Sequence, residues 1–105
     1  MTDPKRKLSS AEIAEAQLPD WHLAEDALAA RFKTKNFAAG LELVNRIGAS
    51  AEDHNHHPDI TLTYPEVSVT LSSHDVGGIT RRDIDLARVI TGHAADLGAA
   101  ARPEA

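Results

Sequence analysis

The chain has no cysteine among its 105 residues, which removes disulfide frameworks, thiolate zinc sites and cysteine nucleophiles together. It also has no run approaching the ~20 apolar residues that a membrane span needs. The opening MTDPKRKLSS is charged but carries no apolar segment of the secretory kind. A soluble, cytoplasmic protein is the expectation. A concentrated basic face is missing too: the formal net charge is -5, KRK at 5 to 7 is the one basic cluster, and the other Lys and Arg residues are scattered. Neither a nucleic-acid nor a membrane partner is therefore expected, which leaves small molecules and other proteins. The length suits one domain with a modest core, spanning 1–105 with flexible tails at 1–7 and 98–105.

What the chain does have is alternating and helical periodicity. Ser9-Ser10-Ala11-Glu12 has the form of a capping box, and it predicts a short helix from Ser10 to Leu18 that Pro19 stops. Trp21 and Leu23, then Leu28, Ala30 and Phe32, alternate with polar or small neighbours as two strands joined near Glu25-Asp26. Asn36 is a good N-cap for a long helix whose stripe would be Phe37, Leu41, Val44, Ile47 and Ala51. Gly40 and Gly48 lower its propensity, which suggests close approach to a sheet or helix. Pro58 requires the helix to end by His57.

Ile60, Leu62 and Tyr64, then Val67, Val69 and Leu71, alternate with hydroxyl residues as a hairpin with one apolar face. Gly77-Gly78 break the chain. Thr80-Arg81-Arg82-Asp83 is a second capping box, opening a last helix with Leu86, Ile90, His93 and Leu97 as its seam. The order helix, two strands, helix, two strands, helix predicts a two-layer α+β sandwich, its hydroxyl sheet face turned to solvent or to another subunit.

Chemistry concentrates in the histidines, of which there are six. HNHHPD occupies residues 54 to 59, and the second hairpin would return Ser72, Ser73 and His74 to the same end of the sheet as His56 and His57. Glu52, one turn earlier, could reach them. A metal site is one reading, since His54 and His56 are two residues apart, but no cysteine or H-E-x-x-H pairing supports it. Acid-base chemistry is a second, because imidazole gives and accepts protons near neutrality. A third is that His54 or His56 merely favours the negative end of a helix, which leaves His74 unexplained. His93 is read as packing on the last helix and Trp21 as core.

Glu52, His56-His57-Pro58, Tyr64, His74 and Asp83 together resemble the pattern of the pterin-4a-carbinolamine dehydratases, and the segments LSSAEIAEAQLPDW, RFKTKNFAAGLELVNRI and SSHDVGGITRRDIDLA are similar as well. The resemblance covers roughly residues 8 to 94. It implies an α-β-β-α-β-β-α fold with a four-stranded antiparallel sheet, a homodimer or homotetramer, and loss of water from a 4a-hydroxytetrahydropterin in pterin recycling, without metal or separate cofactor. By the same resemblance His56 and His74 are the proton-transfer pair and His57 a further catalytic residue that positions substrate. Glu52, Asn55, Ser72, Ser73 and Asp83 would then contact or support the pterin.

Two positions depart from common members: Asn55 stands in place of an aspartate and Ser73 in place of a threonine. An aromatic after His-His-Pro is also absent. Asp83 could equally complete a helix cap, and Tyr64 could pack at a strand end or wall the pocket. The competing reading is a non-catalytic dimerisation, assembly or coactivator module on the same fold.

Overall fold

Ser9 begins the ordered helical structure by capping α1 (Ser10–Glu15), its hydroxyl accepting from Glu12 N–H while the Glu12 carboxylate accepts from Ser9 N–H. The computed structural model describes residues 6–101. α1 stops before the expected Leu18. Gln17 takes a left-handed φ of 54°, and this reversal turns Leu18 and Trp21 into the core. β1 (His22–Ala24) and β2 (Ala27–Lys33) follow as an antiparallel pair, joined at Glu25-Asp26 as the sequence predicts.

α2 (Phe37–His54) is capped by Asn36, whose Oδ1 accepts from Ala39 N–H at 2.8 Å. Its buried seam is Gly40, Leu43, Ile47 and Ala51, whereas Phe37 and Leu41 of the expected stripe are 52% and 46% exposed. Ile47 and Ala51 belong to both the expected and the observed face, which part company in the first turns of the helix, where Gly40 is buried. A Cβ at that position would lie 2.8 Å from Leu62 Cδ1, so the helix rests its glycine on the sheet and rotates Phe37 and Leu41 outward. No such approach exists at Gly48, where a Cβ would meet nothing within 4 Å.

β3 (Asp59–Thr63) and β4 (Glu66–Leu71) form the second hairpin, turning through a cis Tyr64–Pro65 peptide bond. The sheet order is β1-β2-β4-β3, antiparallel throughout. Leu28 pairs with Leu71, Ala30 with Val69 and Phe32 with Val67, which puts one apolar row from each central strand on the helix side, as period-2 alternation requires. Ser68, Thr70 and Ser72 take the opposite, half-buried side.

α3 (Arg81–Asp96) opens with the expected capping box between Thr80 and Asp83. It buries Ile84, Leu86, Ala87, Ile90 and Ala94 against α2 and the sheet. Burying a side chain such as Ile47 or Leu86 fully is worth about 1.5–3 kcal/mol. Trp21 joins this core, edge-on to Phe32, with its indole N–H donating to Thr91 Oγ1 at 2.9 Å.

Two stretches expected as tails have partners. Arg6 pairs with Glu12, and β5 (Ala100–Ala101) runs back along β2 beside Phe32 and Lys33. The rest of the expected tails, 1–5 and 102–105, lies outside the described residues. The architecture is α+β, with the helix-strand order α-β-β-α-β-β-α and a four-stranded antiparallel sheet to which β5 adds two residues. No helix among the described residues is long and apolar enough to cross a membrane.

Candidate active site

The site begins where α2 ends. Asn55 adopts the left-handed conformation, φ 49° and ψ 43°, which asparagine tolerates better than most residues. This lets His56 N–H bond back to Ala51 O at 3.1 Å. The His56 backbone is thus fixed by the last turn of α2, and Pro58 then leads the chain into β3. Asn55, expected at the pterin edge, has this conformational role in the fold.

The ring of His56 is fixed by a different helix. Its Nε2 lies 2.6 Å from Asp83 Oδ1, and the Asp83 side chain is fully buried. The other carboxylate oxygen, Oδ2, accepts from Ser73 Oγ–H at 2.8 Å and from Thr80 N–H at 2.9 Å. Ser73 Oγ also meets Thr80 Oγ1 at 2.8 Å, and Thr80 Oγ1 accepts from the backbone N–H and the Nε–H of Arg82.

The proton directions are mutually consistent: Thr80 Oγ–H donates to Ser73, Ser73 Oγ–H to Asp83, and His56 Nε2–H to Asp83. An ionised carboxylate has only acceptors to offer, and with Asp83 in that form the His56 proton lies on Nε2 and Nδ1 faces away from the carboxylate. Asp83 therefore completes the helix cap and holds His56 at once. Both roles weighed from the sequence meet in one side chain, and neither Asp83 nor Ser73 reaches solvent.

His57 points elsewhere. Its Nε2 meets Glu52 Oε2 at 2.5 Å, in a pair that is largely exposed. His74 is exposed just beyond the Ser73–Gly78 bridge that closes the turn after β4. With Ser72 it lines an open groove of about 290 Å³ whose other wall is the β1–β2 turn, including Glu25 and Asp26.

Hydrogen bonding thus unites His56, Asp83 and Ser73 in one network and His57 with Glu52 in another, and a groove groups His74 with Ser72. Glu25, Asp26, Thr80 and Arg82 belong to these surroundings and were not singled out as site residues from the sequence. Arg82 sits inside a recognisable capping box, yet nothing in the box marks it for a site. His54 is exposed in the last turn of α2. His93 Nε2 meets Ser50 Oγ at 2.7 Å, joining α3 to α2 as a packing residue. Tyr64 is 66% exposed, so it does not pack at its strand end. Among the described residues, no group of three or more His, Asp or Glu side chains is arranged to hold a metal ion.

Fold and site together define a small α+β protein with histidines and carboxylates gathered at one end of an antiparallel sheet. Residues 6–92 match the family model described as pterin 4 alpha carbinolamine dehydratase. A candidate pterin-4-alpha-carbinolamine dehydratase of Thermosynechococcus vestitus is 45% identical over 87 residues, covering 81% of this chain and 92% of the relative. One of Nocardia farcinica is 45% identical over 85 residues, covering 79% and 90%.

Among solved structures, a transcriptional coactivator/pterin dehydratase from Brucella melitensis superposes with a TM-score of 0.81 at 31% identity, covering 85% of this chain and 99% of that one. A pterin dehydratase-like RuBisCO assembly factor of the alpha-carboxysome shares the fold, with a TM-score of 0.59 at 19% identity over 70% of this chain and 86% of that one. The chain belongs to the pterin 4 alpha carbinolamine dehydratase family, and its enzymatic class is that of a hydro-lyase.

Proposed function

We propose that the protein dehydrates a 4a-hydroxytetrahydropterin to the quinonoid dihydropterin, with His56 and His74 as the proton-transfer pair. One histidine gives a proton to the 4a-hydroxyl, the C4a–O bond breaks as water leaves, and the other takes the proton from N5 as the C4a–N5 double bond forms. Donation and removal around one ring system suit two imidazoles, and positioned acid-base groups of this kind contribute about 10²–10⁴-fold each. His57, held by Glu52, would orient the pterin, and Ser72 would contact its polar edge in the groove beside His74. Asp83 and Ser73 act behind His56, keeping its ring in one tautomer with Nδ1 directed away from the carboxylate. The reading extends to a homo-oligomeric protein that needs no metal for this step.

The observation that carries this reading is the buried Asp83–His56 pair at 2.6 Å. A carboxylate kept fully out of water for one imidazole is costly unless satisfied on every side, and here the same carboxylate also engages the residue immediately before His74. The test is the dehydration rate of freshly generated 4a-hydroxytetrahydropterin with wild type, His56→Ala and His74→Ala, with and without a chelator. Acceleration that both variants lose and the chelator leaves unchanged is the expected result. A folded wild-type protein that gives no acceleration would refute the proposal and favour an assembly role.

A further inference from the structure

His74 is exposed, yet both of its sequence neighbours are tied to the first turn of α3. Ser73 is bound through its hydroxyl to Asp83. Asp75, on the other side, accepts from the Arg82 guanidinium at 2.8 Å. The same guanidinium donates its Nε–H to Thr80 Oγ1 at 3.2 Å, and Thr80 Oγ1 in turn meets Ser73 Oγ. Arg82 therefore spans the tip of the His74 turn and the hydroxyl pair at its base, a geometry that suits a planar fork with donors in fixed directions and that a lysine ammonium cannot reproduce. The backbone closes the same turn, with Ser73 N–H to Gly78 O at 2.8 Å and Val76 N–H to Ser73 O at 3.1 Å. A continuous chain of contacts runs Asp75, Arg82, Thr80, Ser73, Asp83, His56.

The geometry points to Arg82 and Asp75 as positioning residues for His74, making the first turn of α3 the common platform that sets His74 relative to His56. Neither residue touches the reacting atoms. An exposed ion pair adds little to stability, so the value of this one lies in restricting where an otherwise free histidine can stand. The inference rests on His74 being half of the proton-transfer pair. It implies that the Arg82–Asp75 contact acts mainly on the step His74 performs.

Two measurements test it. Asp75→Ala and Arg82→Lys should each lower kcat about tenfold, since small misplacements of a catalytic group have effects of this order or larger. KM should stay nearly constant, as for an interaction used only in the transition state. In a His74→Ala background the same substitutions should cause no further loss. A loss of equal size there would show a general structural role and overturn the inference.

The second measurement is independent of activity. Three-bond couplings should report one χ1 rotamer for His74 in the wild type and averaging in Asp75→Ala, with His56 unchanged. A His74 already averaged in the wild type, or still fixed in the variant, would also overturn it. If the wild type lacks dehydratase activity, the proposed function fails by itself, and the rotamer comparison still decides whether the tether holds His74.

Discussion

His56 and His57 are adjacent, and each has a carboxylate partner, at 2.6 and 2.5 Å respectively. They differ in surroundings. The side chains of His56 and Asp83 are 10% and 0% exposed, those of His57 and Glu52 56% and 77%. An extended backbone sends neighbouring side chains opposite ways, and here one way leads under the first turn of α3 and the other into water. Distance alone says little about what such a pair does. The buried pair is a fixed element that water cannot replace, whereas the exposed one competes with solvent and salt at all times.

The largest effects should come from attacking the buried pair. Asp83→Ala leaves His56, Ser73 and Thr80 N–H without their acceptor, and breaking a buried pair of this kind costs about 3–5 kcal/mol, to be read from urea denaturation. His56→Ala should lower the dehydration rate by about 10²–10⁴-fold. If Asp83→Ala proved as mild as a surface substitution, the contrast between the two histidines would collapse.

The turn that separates them comes next. Asn55→Ala places a Cβ-bearing residue without asparagine's local hydrogen bonding in the left-handed conformation and should destabilise by roughly 1 kcal/mol. Asn55→Gly should be close to neutral. Equal losses from both substitutions in denaturation curves would mean that the asparagine side chain, not its backbone geometry, matters there.

Glu52→Gln should change stability by no more than about 0.2–1 kcal/mol, with the difference shrinking in added salt. Its effect on the dehydration rate should be well below that of His56→Ala, so equal effects would place the exposed pair at the centre of the chemistry.

The smallest effect belongs to a third carboxylate, on α1. The hydrogen-bonded Arg6 side chain, helped by Ser9 N–H, holds the Glu12 carboxyl down from its ordinary 4.5 to about 2. A lowered folded value means that this contribution is complete above pH 4.5 and is lost as pH falls through about 2. Thermal unfolding across that window should show a slightly shallower acid decline for Glu12→Gln than for wild type. An unchanged decline would mean that the exposed pair contributes nothing measurable.

Much of the fold was legible because its signals are local. Ser9 with Glu12, Thr80 with Asp83 and Asn36 with Ala39 are caps between residues three apart, and strand alternation needs no partner to be seen. The seam of α2 was not legible in the same way. Ile47 and Ala51 of the expected stripe are buried and Val44 packs partly against the core, but Phe37 and Leu41 lie outside, where hydrophobicity alone would have turned them inward. The close approach of Gly40 to Leu62 fits this rotation, since a Cβ there would lie 2.8 Å from Leu62 Cδ1. The early end of α1 was equally hidden, since it depends on Gln17 turning Leu18 and Trp21 toward a core that the local sequence does not describe.

The site divides along the same line. Glu52, His56, His57 and His74 could be picked out from residue types and position, Asp83 from the family resemblance, and a helix end by His57 from Pro58. Which of them would pair with which could not. Asp83 meets His56 across 27 residues, and Ser73 meets Asp83 across ten. The sequence by itself determined the element order, the caps, the hairpins and the family motif, because each depends on residues within a few positions of one another or on a pattern of residue types. Tertiary structure alone decided that Phe37 and Leu41 of α2 face outward, which histidine receives the buried carboxylate, and that Arg82 reaches back to Asp75. Those outcomes follow from how two helix ends and one sheet end pack together, and no local periodicity encodes that placement.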